Sequence, residues 1–260
     1  MFGSARYAAP VPEVAANDLP PVGVRPVLAA AFRTYRRRFG VIVGAALVVF
    51  SISALVDVLT DVLADEFADK PALIALLLTV AGVAVLGTEF FAGLTDRIAG
   101  QEERGHPRQP LGQILRTLPY GRLIVADVVL AGGTFLLSFA LLVPGMIFFT
   151  FHALVGPALV MEDRKVRSAF RRSRQLVRGH FWLVFLLVTL PIVFEENVVH
   201  GIVAIFESLG SLAVFVVNTL AGAAVGSIVA VIEVTLAHRL AIRTPDPGHV
   251  PVTSGRAVPD

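Results

Sequence analysis

Five ionisable or strongly polar side chains sit inside otherwise apolar stretches: Glu89, Asp127, His152, Asn218 and Glu233. A carboxylate at the centre of a membrane helix costs roughly 2.5–3.5 kcal/mol to insert, and less near the interface, so such a residue needs a partner or a task. Glu89, Asp127 and Glu233 each lie within about two turns of one end of their stretch. The expectation is that each pairs with a nearby arginine and pins its helix to the bundle. Proton or substrate handling is the alternative chemistry, and snorkelling to water a third. His152 is expected to be hydrogen-bonded inside the bundle rather than to relay protons.

Other constellations lead nowhere catalytic. Glu196 and His200 are four apart with Glu207 nearby, and Asp61, Asp65 and Asp69 share the same spacing. Both groups read as charged faces that enforce topology, and no metal site is expected. The chain has no HExxH, no glycine-rich phosphate loop and no Ser/His/Asp set in a recognisable setting. With no cysteine there is no disulfide framework, thiolate ligand or cysteine nucleophile. No enzymatic activity and no cofactor are expected.

The elements that must carry these residues are apolar. The chain is 55% hydrophobic and only 16% charged, with a mean hydropathy of +0.76, which excludes an ordinary soluble domain. Six stretches approach the roughly 20 residues that cross a hydrocarbon core. They run Val41–Thr60, Ala72–Leu94, Leu123–Leu142, Met146–Met161, Phe181 to about Phe194, and Leu212–Leu236. The fifth is short and contains Pro191; either its helix continues past Glu195 and Glu196, or the apolar patch Gly201–Phe206 lies flat on the outer surface. No cleavable signal peptide is visible in Met1–Gly23.

Charge sets the orientation. Of the 22 basic residues, only Lys70 falls in an alternate connection, which leaves the others on one side. That asymmetry predicts a multi-pass protein of the cell (inner) membrane with both termini cytoplasmic. The opposite connections carry Asp57, Asp61, Asp65, Glu66 and Asp69, the bare turn Val143-Pro144-Gly145, and Glu195, Glu196 and Glu207. The pI near 9.4 needs no nucleic acid; anionic lipid headgroups are the nearer partner.

Amphipathic segments precede alternate spans. Leu28, Ala31, Phe32, Tyr35 and Phe39 form an apolar stripe with Arg33, Arg36 and Arg37 opposite. Leu111, Ile114, Leu115 and Leu118 repeat it. Val166, Ala169, Phe170, Ser173, Leu176 and Val177 repeat it again, with Arg167, Arg171, Arg172, Arg174 and Arg178 on the polar face. The predicted unit is an in-plane elbow helix followed by a transmembrane hairpin, occurring three times over 27–110, 111–162 and 163–243. Glycines at Gly40, Gly121 and Gly179 are expected to free the exit from each elbow. Disordered cytoplasmic tails are expected over 1–26 and 244–260. Gly222-x-x-x-Gly226 and Ala131-Gly132-Gly133 mark close helix approach without fixing an oligomeric state.

The stretch Val155-Gly-Pro-Ala-Leu-Val-Met-Glu162, then Val166-Arg-Ser-Ala-Phe-Arg-Arg-Ser173, Leu176 and Arg178-Gly-His-Phe-Trp182, resembles the hallmark of one family. That family is the glycerophosphoryl diester phosphodiesterase membrane-domain family, with its six-span bacterial relatives. The resemblance spans most of Val27–Arg243, and its specific part is Gly156–Trp182. It implies a six-helix membrane fold, attached in some members to a phosphodiesterase domain. No such domain is expected in this chain, and the activity is not expected to be inherited.

The expectation is therefore an all-α, six-span membrane protein whose elbows form a basic collar on the inner leaflet. Arg33, Arg36, Arg37, Arg167, Arg171, Arg172, Arg174 and Arg178 would meet anionic phospholipid, and a protein partner is a further expectation. Transport or export of a lipid-like or amphipathic solute through the intramembrane carboxylates is the alternative.

Overall fold

The computed structural model describes residues 21–67, 87, 90–105 and 107–246. Every described element is helical. They are α1 (Val24–Phe67), α2 (90–103), α3 (Leu111–Thr117), α4 (Tyr120–Ala140), α5 (Leu142–His152), α6 (Val155–Met161), α7 (Val166–Val177), α8 (Phe181–Val184), α9 (Leu190–Phe206) and α10 (Ser211–Arg243). Among the described residues, four helical stretches are long and apolar enough to cross a membrane: Val24–Thr60, Tyr120–Phe139, Leu142–Met161 and Ser211–Arg243. A bent pair, Val166–Val177 with Phe181–Phe194, makes a fifth if counted as one span. Most of the predicted second span, Ala72–Leu94, lies outside the described residues.

The exposed surface of these helices is consistent with a membrane protein. Phe135, Leu136 and Phe139 on α4 are 70%, 71% and 87% exposed, and Trp182 at the start of α8 is 75% exposed. A continuous apolar surface of that kind is not left facing water by a monomeric soluble protein. The buried core lies between α1, α2, α6, α7 and α10, around Val27, Ile42, Leu154, Leu159, Leu176, Leu236 and Leu240.

The helices α1 and α10 form the largest contact and run antiparallel, since Tyr35, Phe50 and Asp57 meet Ser227, Gly222 and Asn218 in reverse order. Gly222 makes this possible: a Cβ there would stand 2.6 Å from the Phe50 ring. The small-residue face read from the sequence is thus spent on packing within the chain. Gly133 does the same for α4 on α5, with Phe148 2.7 Å from its would-be Cβ.

The elbows differ from one another. At the third, α7 and the following helix meet at 104° with Gly179 at φ +90°, a conformation that costs an L-residue side chain about 1–2 kcal/mol. The first is not an elbow: α1 runs unbroken for 44 residues, about 66 Å, straight through Gly40. An interior glycine costs only about 1 kcal/mol, and the N-terminal turns of α1 are held by buried Val27, Ala31 and Thr34, so the helix continues. Arg33, Arg36 and Arg37 therefore ride on an extension of a span and not on an in-plane helix. At the second, the break comes at Leu118-Pro119, before Gly121, because a residue preceding proline is driven out of helical geometry; Leu118 is extended at φ −68°, ψ 136°.

Three further boundaries move. The hairpin between α4 and α5 turns on Leu141 alone, and Val143-Pro144-Gly145 forms the first turn of α5, where proline needs no N–H partner. The fifth span does continue: Phe185–Thr189 forms a π-helical turn just before Pro191, whose missing N–H and ring disrupt the regular ladder, and α9 then passes Glu195 and Glu196 to Phe206. At the two ends of the described residues, α1 starts at Val24 and Asp246 is bound by Arg164; the rest of the expected tails lies outside the described residues.

Candidate functional site

The strongest concentration of charge is where α7 turns into α8. Ala169, Arg172, Ser173, Leu176 and Val177 form its buried face, while Arg167, Arg171, Arg174 and Arg178 are exposed. Ser173 fixes the helix in place. Its hydroxyl donates to the Phe151 carbonyl at 3.0 Å and accepts the Leu154 N–H at 3.2 Å, satisfying backbone groups freed where the chain breaks between α5 and α6. His152, 3% exposed, is oriented by the same break. Its Nδ1 lies 2.8 Å from the Phe148 carbonyl, which makes Nδ1 the protonated nitrogen and leaves Nε2 to accept from Arg174 Nη2 at 3.3 Å.

Beside that pair is a cavity of about 520 Å³. Its basic end is formed by His152, Arg174 and Arg178, and its walls by apolar side chains of α4, α5 and α8. Arg174 and Arg178 make no ion pair among the described residues.

Other arginines at this end of the bundle are consumed internally. Glu162 holds both Arg164 and Arg172, the latter through Nε at 3.1 Å, and Arg164 also reaches Asp246 at 2.9 Å. Arg122 pairs with Asp163 at 2.9 Å. Glu102 on α2 receives Arg38 at 2.9 Å and Arg37 at 3.3 Å. Burial alone would raise the Glu102 carboxyl, but the hydrogen bond and charge of Arg38, with Arg37 behind it, hold it below the usual carboxylate range. Glu103 accepts from Thr34 at 2.8 Å and Thr235 at 3.3 Å, joining α1, α2 and α10.

No protein-family model, curated protein or solved structure matches this chain.

The predicted headgroup contacts divide. Arg33, Arg36, Arg167, Arg171, Arg174 and Arg178 are exposed; Arg37 is exposed and tied to Glu102. Arg172 is a correction: it is 3% exposed and bound to Glu162. The reason was present in its spacing, since Arg172 falls three after Ala169 and four before Leu176, on the apolar stripe itself.

The intramembrane set also divides. Glu89 lies outside the described residues. Asp127 and Glu233 are half-buried on α4 and α10, each with an interaction of its own. Asn218 donates to Asp57 at 3.0 Å, bridging α10 to α1. The side chains of Glu195, Glu196, His200 and Glu207 lie outside the described residues. Among the described residues no group of three His, Asp or Glu side chains is arranged to hold a metal ion.

Sequence reading missed Asp96. It is 5% exposed on α2, two residues past the predicted end of the second span. Its carboxylate stands 3.2 Å from where a Cβ on Gly156 would lie, with a Glu233 oxygen 4.0 Å from the same point. Burial pushes the Asp96 carboxyl up to about 8. Glu102, Glu103 and Glu162 were also missed as partners, although acidic residues isolated among arginines are the available signal.

Proposed function

We propose that this chain is a non-enzymatic integral membrane module, crossing the cell membrane six times with both termini in the cytoplasm. Its basic end engages anionic headgroups of the inner leaflet and presents a surface to a protein partner. The observation that carries this is the separation of the arginines into two populations. Arg38, Arg122, Arg164 and Arg172 are neutralised by Glu102, Asp163, Asp246 and Glu162. Arg33, Arg36, Arg167, Arg171, Arg174 and Arg178 are exposed and make no ion pair among the described residues. Cations beside lipid-facing apolar surface attract an anionic leaflet by about 1 kcal/mol each. The resemblance to the phosphodiesterase membrane-domain family agrees with this placement, because its specific segment coincides with α6, α7 and the turn into α8.

The test is lipid selection by the full chain. In nanodiscs assembled from a phosphatidylcholine and phosphatidylglycerol mixture, the protein is expected to enrich phosphatidylglycerol, and high salt to reduce the enrichment. A variant with Arg33, Arg36 and Arg171 replaced by Gln should enrich it less. Equal lipid composition with and without protein contradicts the proposal.

A second reading is favoured by one observation. Asp96 and Glu233 bring two carboxyls to Gly156 at the junction of α2, α6 and α10, as transport of a solute coupled to protons would require. Proton uptake accompanying solute flux in proteoliposomes, abolished by Asp96→Asn, would move the assignment to transport.

A further inference from the structure

The cavity beside α7 is apolar along most of its lining and charged at one end. It follows α5 from Pro144 to His152, eight residues and about 12 Å of helix. Its volume of about 520 Å³ falls in the range of roughly 300–1,000 Å³ occupied by small-molecule sites. Along most of its length the walls are Leu137, Ile147, Phe148, Phe151 and Phe181. Leu137 and Ile147 are 37% and 43% exposed on the lipid-facing surface, so the apolar part communicates with the acyl layer.

Only one end is charged. Arg174 and Arg178 stand four apart, one turn of helix, and neither has a carboxylate partner among the described residues. The acceptor Arg174 does have is His152 Nε2 at 3.3 Å, a neutral and long contact that an anionic oxygen would outcompete. Gly179 at the mouth has nothing within 4 Å of where a side chain would begin, which leaves room for a headgroup.

We infer that this cavity is a discrete binding site for one anionic phospholipid, with the phosphodiester between Arg174 and Arg178 and one acyl chain laid along α5. A soluble anion has no use for 12 Å of apolar wall, and a zwitterionic lipid brings with its phosphodiester a cation that the two guanidiniums repel. The site rests on the membrane placement proposed above, but it is a single stoichiometric position and not part of the diffuse attraction of the collar. His152 acts as a parking position for Arg174 when the site is empty.

The experiment is native mass spectrometry of the full chain released from detergent, titrated with phosphatidylglycerol or with phosphatidylcholine of the same acyl chains. One phosphatidylglycerol per chain should be retained with at least about tenfold preference. Arg174→Gln with Arg178→Gln should remove the preference, and Arg174→Lys with Arg178→Lys should keep most of it, which separates lost charge from lost fold. Ile147→Trp, filling the apolar end, should weaken retention of both lipids. Replacing Arg33, Arg36 and Arg171 by Gln should leave the single bound lipid in place even where bulk enrichment in nanodiscs falls; that pattern sets the pocket apart from the collar. Equal retention of the two lipids, or a preference untouched by the Arg174 and Arg178 double change, overturns the site while leaving the collar standing. Displacement of the lipid by inorganic phosphate at matched concentration would reassign the basic end to a free anion and also overturn it.

Discussion

Asp96 and Glu233 present carboxylate oxygens to the same glycine, 3.2 and 4.0 Å from the position a Gly156 Cβ would take. Two acids converge there because α2, α6 and α10 meet over a residue with no side chain. The arrangement fixes a sign for the pH dependence of stability. Asp96 is raised from 3.8 to about 8 in the fold, so the folded chain holds a proton that the unfolded chain releases. Stability from this group is greatest below pH about 4 and is lost progressively as pH rises to about 8. Asp96→Asn should therefore gain in thermal midpoint relative to the parent as pH rises across that window, measured in detergent. Midpoints of parent and variant that stay parallel from pH 5 to 9 would rule it out.

Glu162 is the common anion for Arg164 and Arg172, whose side chains are only 5% and 4% exposed. Removing it leaves two nearly buried cations short of their partner, at a cost of about 3 kcal/mol. Glu162→Gln is expected to lower the midpoint sharply, and Arg172→Met in the same chain to recover part of the loss. Additive effects in that double-mutant cycle would mean the two residues are not coupled.

The bend at Gly179 should be sensitive to any side chain. Its φ of +90° lies where L-residues are strained, while nothing crowds the position, so Gly179→Ala isolates the backbone effect. A loss of about 1–2 kcal/mol is expected. The same substitution at Gly40, inside unbroken α1, is expected to be neutral or mildly stabilising, by up to about 1 kcal/mol. Equal responses at the two positions would contradict the difference between the elbows.

Gly222 faces the Phe50 ring at 2.6 Å from its would-be Cβ. Gly222→Leu should overpack α1 against α10 by about 1–3 kcal/mol, and Phe50→Ala should relieve part of it. Analytical ultracentrifugation should find the oligomeric state unchanged, because this face is already filled within the chain.

What could be read from residue order follows from which physical effect was strongest locally. The amphipathic period of α7 and the glycine at its exit were legible because nothing competes with them. At α1 the same two signals were present, yet continuous helix won, since one glycine costs less than the packing of Val27, Ala31 and Thr34 returns. Pro119 decided local geometry where Gly121 had been given the role, and Pro191, noted within the fifth stretch, follows a π-helical turn. Arg172 was misplaced because charge was weighed above position, although its spacing put it on the buried stripe. Asp96 escaped notice because its burial comes from three helices meeting at Gly156, a long-range fact with no local signature.

The central claim is a membrane-embedded bundle whose basic end faces the cytoplasm, and single-cysteine labelling in the cysteine-free chain tests it most directly. Gln113 on α3 and Gln175 on α7 are exposed at the basic end, and Ser211 is exposed at the start of α10, at the opposite end. In intact cells an impermeant maleimide should label Ser211→Cys alone, with Gln113→Cys and Gln175→Cys reacting only after the membrane is permeabilised. Labelling of Gln175→Cys in intact cells would contradict the account.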